Sequence, residues 1–102
     1  MSRTPRATPQ ELTPAPWPDV PSPDVYAEVA RQFVIRLRTG IGTRSIRSVG
    51  VAAGVSHVTI LNVLAGRAWP DLSTIARLEV ALGVALWPGL QNAATKRPGA
   101  EP

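Results

Sequence analysis

The sequence predicts an all-α protein, a compact four- to five-helix bundle. No segment of the 102 residues alternates apolar and polar residues with the period of a strand. Glycine and capping residues instead divide the apolar stretches into pieces of helical length. Cysteine is absent, so a small disulfide-bonded or thiolate-zinc scaffold is excluded.

Composition divides the chain into three parts. Seven of the eleven prolines fall within the first 23 residues, and each proline removes an amide donor and fixes φ. Residues 1–21 are therefore predicted to be an extended, largely disordered arm, in which Trp17 has no evident place in a core. Residues 22–90 are the predicted folded domain, and 91–102 a flexible polar tail.

The first helix is predicted over residues 23–39. Ser22 can cap it, and Pro23 suits the first helical position. Gly40 then ends it. Its apolar residues recur every four positions, at Val25, Val29, Phe33 and Leu37.

Two shorter helices follow, with only a three-residue link between them. Ser45 can cap the second helix over residues 46–53, which Gly54 ends by supplying a positive φ. Ser56 can cap the third helix over residues 57–65. This tight link predicts that the two helices cross closely.

The fourth helix is predicted over residues 72–82, with Asp71 as its cap and Gly83 as its end. Its inward residues are predicted to be Leu72, Ile75, Leu78 and Leu82. Trp87-Pro88 marks the domain edge and is predicted to open a short last helix through Leu90.

The charge is distributed unevenly. No acidic residue lies between Glu28 and Asp71, whereas that interval holds six arginines: Arg31, Arg36, Arg38, Arg44, Arg47 and Arg67. A face without carboxylates favours a polyanionic partner. The alternative is that the arginines only keep the domain soluble. The first three arginines fall on the first helix and are predicted to face solvent.

The second and third helices carry a recognisable pattern. Gly50 lies where the third helix would press on the second, so a side chain larger than that of alanine is predicted to clash there. The pattern resembles the helix-turn-helix of lambda-repressor-like, XRE (Cro-type) DNA-binding domains. Its matching positions are Ile46, Val49, Gly50, Gly54-Val55-Ser56, Ile60 and Val63, followed by WPDLSTIARLEVALGV. The resemblance implies that the third helix lies in the major groove of double-stranded DNA.

By position, the resemblance implies base contacts from His57, Val58, Leu61 and Asn62. Helical geometry also places Val58, Leu61 and Asn62 on the side opposite Ile60. Asn62 can form two hydrogen bonds with adenine, and its alternative is a solvated amide. His57 can donate to a phosphate or to guanine N7, or it is simply exposed.

Phosphate contacts are predicted from residues that flank these helices. They are Arg44, Ser45, Arg47, Ser56 and Arg67. The amino end of the second helix also directs free amide donors outward. The alternative for the arginines is solvated charge.

The recognition face departs from the family pattern, because Val58, Leu61 and Ala65 stand where long polar side chains are common. They can pack on thymine methyl groups. Alternatively the chain is a protein-interaction module whose apolar third helix binds a protein partner. The acid-free arginine block favours DNA.

The sequence predicts no enzyme and no cofactor. It offers no catalytic constellation, and a single histidine without cysteine makes a metal site improbable. No secretory signal or membrane span is evident, so we expect a cytoplasmic protein. The resemblance implies a transcriptional regulator, a repressor, of chromosomal, plasmid or phage origin. A homodimer stays open, as does a DNA contact from Arg3 and Arg6 in the arm.

Overall fold

The computed structural model describes residues 6–89. In this part of the chain four helices and no strand occur: α1 (Val25–Ile41), α2 (Ile46–Ala53), α3 (His57–Leu64) and α4 (Leu72–Leu82). The all-α prediction is confirmed. The predicted tail 91–102, Leu90 at the end of the predicted last helix, and Arg3 lie outside the described residues.

Side-chain caps fix where the helices begin. The hydroxyl of Ser45 accepts from the amide of Ser48 at 3.0 Å, and the carboxylate of Asp71 accepts from the amide of Thr74 at 2.7 Å. Both were predicted to be caps. The hydrogen bonds that Asp71 accepts from Thr74 lower the pKa of the Asp71 carboxyl.

The first helix begins later than predicted, and it also ends later, at Ile41, with Gly42 as its C-terminal cap. Asp24, not Ser22, is its cap: Oδ1 accepts from the amide of Ala27 at 2.9 Å. The Ser22 hydroxyl instead donates to the Leu12 carbonyl at 2.9 Å. Ser22 is thus engaged by the segment that precedes the helix, which shifts the start of α1 to Val25.

One apolar core joins all four helices. Its members with the largest fully buried side chains are Phe33, Val34, Leu37, Val49, Ile60, Val63, Leu78 and Leu86. The prediction that Leu72 faces inward is wrong, because Leu72 is 81% exposed. At about 100° per residue, Leu72 is turned roughly 120° away from Leu78. In α1 the apolar residues recur every four positions, so each is turned somewhat from the previous one around the helix. Val25, at the start of this series, therefore lies at the edge of the buried face.

The N-terminal segment (residues 6–21) packs against the helices. This corrects the expectation of an extended, largely disordered arm for the described part of that arm. Pro9, Thr13 and Pro18 are buried, and the Thr13 hydroxyl donates to the Pro9 carbonyl at 2.7 Å. Trp17, which had no predicted place, packs against the core. The segment docks because its carbonyls and its indole find partners on distant elements.

Arg31 does not face solvent as predicted. It is only 8% exposed, and its guanidinium donates twice to the Glu28 carboxylate, at 2.8 and 2.7 Å. Its Nη1 also donates to the carbonyl of Pro18 at 3.0 Å. Arg31 therefore ties α1 to the N-terminal segment, and its charge is neutralised within the fold.

The Glu28 carboxylate is the centre of this cluster. It also accepts from the backbone amide of Ser22 and from the side-chain amide of Gln32, both at 2.8 Å. Burial raises the pKa of Glu28, but the hydrogen bonds from Arg31, Ser22 and Gln32 outweigh it and lower the pKa to about 2. The ionised carboxylate is thus the form that the fold holds.

Candidate nucleic-acid interface

The junction between α2 and α3 forms a helix-turn-helix. The backbone of Gly54 is left-handed, with φ 69° and ψ 34°. The amide of Val55 donates back to the Gly50 carbonyl at 3.0 Å, and the Ser56 hydroxyl accepts from the amide of Val58 at 3.2 Å. The chain therefore reverses over three residues, as the sequence predicts.

Gly50 makes this close crossing possible. A Cβ built there would lie 2.6 Å from the carbonyl oxygen of Val55. The restriction is tighter than predicted, because even alanine would clash with the backbone. The two helices are bent by 116° at their junction. No single helix within residues 6–89 is long and apolar enough to cross a membrane, although α2 and α3 together would pass by length and composition.

Helix α3 has one buried and one exposed face. Ile60 and Val63 are buried in the core, whereas Val58 is 53% and Leu61 is 44% exposed. The sequence prediction divided these residues between the two faces in the same way. His57 is half-buried at the first turn. The folded domain therefore presents two apolar side chains, Val58 and Leu61, on the exposed face of α3.

Asn62 is linked to Arg67 at the carboxyl end of α3. Its Oδ1 accepts from Nε of Arg67 at 3.3 Å, and its backbone carbonyl accepts from the Arg67 amide at 2.9 Å. The Asn62 side chain is half-buried. Asn62 is thus not a freely solvated amide, because its orientation is coupled to that of a cationic side chain.

Three arginines around the helix-turn-helix keep their charge available. Arg44, Arg47 and Arg67 are exposed, and within residues 6–89 none of them forms an ion pair, since the one described pair joins Arg31 and Glu28. Arg47 and His57 both line a shallow depression of about 310 Å³ along the turn. None of the residues that line this depression is acidic.

Sequence reasoning missed the support at the carboxyl end of α3. The indole Nε1 of Trp17 donates to the carbonyl of Leu64 at 2.9 Å, and the amide of Gln10 donates to the carbonyl of Gly66 at 2.9 Å. A tryptophan within a proline-rich stretch was the available signal, since so large an apolar side chain is usually buried.

Trp69, which follows α3 in the chain, holds the beginning of the N-terminal segment (residues 6–21). Its indole donates to the Ala7 carbonyl at 2.8 Å. The guanidinium of Arg6 lies 4.8 Å from the centre of the Trp69 ring, a cation–π contact. Arg6 is thus held on the domain by an aromatic ring.

The solved structures that are similar to this one include two helix-turn-helix proteins. The restriction-modification controller protein C.AhdI from Aeromonas hydrophila aligns with a TM-score of 0.51 and 24% identity, over 58% of this chain and 91% of that chain. The hypothetical transcription factor NHTF from Neisseria aligns with a TM-score of 0.55 and 22% identity, over 78% of this chain and 92% of that chain. No family model and no curated protein sequence matches the chain. The two likenesses support the helix-turn-helix fold.

Proposed function

We propose that this chain is a transcriptional regulator of the lambda-repressor-like, XRE type that binds double-stranded DNA with α3 in the major groove. The observation that carries the proposal is the position of α3, exposed on one face and flanked by arginines that form no ion pair within residues 6–89. The similarity to C.AhdI, a controller protein, and to NHTF, a hypothetical transcription factor, supports it. Non-specific attraction to phosphates would come from the flanks, and sequence preference from the helix.

The proposed base contacts come from the exposed face and first turn of α3: His57, Val58, Leu61 and Asn62. Val58 and Leu61 would pack on thymine methyl groups, and Asn62 would bind an adenine. The proposed phosphate contacts come from Arg44, Ser45, Arg47, Ser56 and Arg67. The two serine hydroxyls accept from helix amides, which leaves each O–H able to donate to a phosphate.

Arg67 would connect the two kinds of contact. Its Nε donates to Asn62, so its terminal nitrogens are directed elsewhere and can bind a phosphate. A phosphate contact at Arg67 would then help to orient the Asn62 amide. For this reason Arg67 is a poor test of phosphate binding alone, and Arg47 is the better residue to substitute.

The test is selection from random-sequence DNA at low salt, followed by a salt titration. Asn62→Ala should reduce preference at one or two base pairs by about ten- to a hundredfold. Arg47→Ala should weaken all sequences alike and reduce the salt slope by about one. Arg38→Ala, on the exposed side of α1, serves as the matched charge control with a smaller effect. The absence of any enriched motif for the unmodified protein would contradict the proposal.

One observation favours a second function, a protein-interaction module. Val58 and Leu61 are adjacent exposed apolar side chains on α3, and such surfaces often mark protein interfaces. Under this alternative, Leu61→Asp would disrupt a protein complex while selection from DNA yields no motif. Under the DNA proposal, the same variant would lose DNA binding through charge repulsion.

Repression and dimerisation belong to the same proposal. The domain would act in the cytoplasm and repress by occupying a promoter. If two copies bind together, their half-sites should lie about 10 bp apart, one turn of DNA. Sedimentation of the protein with DNA of one and two half-sites tests the stoichiometry, and a reporter gene tests the direction of regulation.

A further inference from the structure

We propose that Trp17 is a positioning residue for sequence recognition: it holds the carboxyl end of α3, and with it the orientation of the recognition helix. This inference rests on the proposed DNA-binding function. It assigns a role to the N-terminal segment (residues 6–21), which the sequence suggested to be a disordered arm.

The first argument is that α3 is short and has few internal restraints. It contains eight residues, and the last four carbonyls of any helix lack donors from within the helix. The carbonyl of Leu64 receives its donor from the indole Nε1 of Trp17 at 2.9 Å, across 47 positions of sequence. A residue outside the helix-turn-helix therefore completes the helix end.

The second argument is that the contact is closely fitted. Gly66 has a φ of 74°, and a Cβ at this position would lie 2.7 Å from Cε2 of Trp17 and 2.9 Å from Cβ of Gln10. The N-terminal segment thus rests directly on the backbone that leaves α3. Only glycine leaves room for both side chains there.

The third argument is that the segment is itself anchored to α1. The Pro18 carbonyl, one residue after Trp17, accepts from Arg31 at 3.0 Å. The Leu12 carbonyl accepts from Ser22 at 2.9 Å, immediately before α1. Trp17 is therefore held in a fixed position relative to α1. Its hydrogen bond to Leu64 then fixes the end of α3 relative to α1.

Leu64, whose carbonyl accepts from Trp17, lies among the residues proposed to bind DNA. Asn62 precedes Leu64 by two residues, and Arg67 follows it by three. Base contacts depend on the angle and depth of the helix, because paired hydrogen bonds tolerate little displacement. Contacts of exposed arginines with phosphates tolerate more. Releasing the end of α3 should thus impair sequence preference before it impairs attraction to DNA.

The experiment compares Trp17→Phe, which removes the donor and keeps an aromatic ring, with Trp87→Phe on the exposed surface. Affinity is measured for the selected site and for random-sequence DNA at one salt concentration. Trp17→Phe should lower the affinity for the selected site about three- to tenfold, the range expected for one neutral hydrogen bond. Random-sequence affinity should stay within about twofold. Trp87→Phe should change neither.

A second variant and a second readout keep the result interpretable. Gly66→Ala adds a Cβ that would press on the Trp17 ring, and it should likewise lower the affinity for the selected site more than that for random-sequence DNA. Thermal unfolding followed by circular dichroism confirms that each variant is folded. Hydrogen exchange of the amides in residues 65–67 should be faster in Trp17→Phe, without any DNA present.

The outcomes separate this proposal from the proposed function. If the unmodified protein shows a sequence preference, but Trp17→Phe lowers specific and random-sequence affinity equally or leaves both unchanged, the positioning role is wrong and DNA recognition stands. If the unmodified protein shows no preference for any sequence, both proposals fall. Unchanged hydrogen exchange at residues 65–67 would also overturn the positioning role.

Discussion

The carbonyl oxygen of Val55 lies directly over the α-carbon of Gly50, where a Cβ would be 2.6 Å away. Two helices of eight residues each are joined at this point. Because the obstructing atom belongs to the backbone, it cannot move without displacing the turn. The helix-turn-helix therefore depends on one missing methyl group.

Gly50→Ala should destabilise the domain by about 1–3 kcal/mol, the usual cost of overpacking. Gly40→Ala is the matched control, since it is also a helical glycine. A Cβ at Gly40 meets only side-chain ends, at 3.3 Å from Leu82 and 3.4 Å from Val84, and alanine favours the helix. Urea unfolding measures both. A loss in Gly50→Ala no larger than in Gly40→Ala would contradict the prediction.

The buried pair of Glu28 and Arg31 should make stability depend on acid. The pKa of Glu28 is about 2 in the folded protein against an ordinary 4.5. A lowered pKa stabilises the fold fully above pH 4.5, and this contribution is lost as the pH falls from about 4.5 towards 2. Glu28→Gln should cost about 3 kcal/mol at neutral pH because it leaves Arg31 buried without a counter-charge.

The measurement is the free energy of unfolding in urea between pH 7 and pH 2. The difference between the unmodified protein and Glu28→Gln should shrink below about pH 4.5. Asp19→Asn, which changes an exposed carboxylate of the N-terminal segment, is the control. A constant difference across the whole range would show that charge is not the cause.

Glu79 should hold the chain after α4. Its Oε2 accepts from the amides of Leu86 and Trp87, at 2.8 and 2.9 Å, and these hydrogen bonds lower the pKa of the Glu79 carboxyl. Glu79→Ala should speed hydrogen exchange of both amides by about tenfold or more, since hydrogen bonds to a charged group are the stronger kind. Glu79→Gln keeps an acceptor and should have a smaller effect. Equal exchange in all three proteins would refute this tie.

The exposed face of α4 should tolerate polar residues. Leu72 and Val80 are 81% and 83% exposed, so Leu72→Ser and Val80→Ser should each change stability by no more than about 0.5 kcal/mol. Leu78 is fully buried, and Leu78→Ala should cost about 2–5 kcal/mol. Urea unfolding compares them. A large loss of stability in Leu72→Ser would contradict this prediction and would support the inward position of Leu72 that the sequence suggested.

The sequence predicted best what depends on neighbouring residues. The predicted bounds of α2 and α4 agree with the structure, because Ser45 and Asp71 cap amides only three residues away. The faces of α3 also followed from helical periodicity. In contrast, the start of α1 was misplaced because Ser22 bonds a residue ten positions earlier.

What the sequence could not predict depends on distant partners. The hydrogen bonds of Trp17 with Leu64 and of Arg31 with Pro18 join residues far apart along the chain. A tryptophan in a proline-rich stretch suggests burial, but no local pattern identifies its partner. At the candidate interface, the periodicity located the exposed residues, but their contacts with bases and phosphates remain predictions. The tie between Asn62 and Arg67 lies beyond one helical turn and was also missed.

The contacts of the N-terminal segment also have a consequence for the order of folding. Trp17 meets Leu64 across 47 positions, and Trp69 meets Ala7 across 62. Closing loops of that length costs more chain entropy than joining α2 to α3 across three residues. During synthesis the N-terminal segment is made before the helices. The surface that it packs against forms only later, when those helices have been made and have folded. The earliest residues of the domain therefore complete it, and α3 gains its final support only when the other helices are in place.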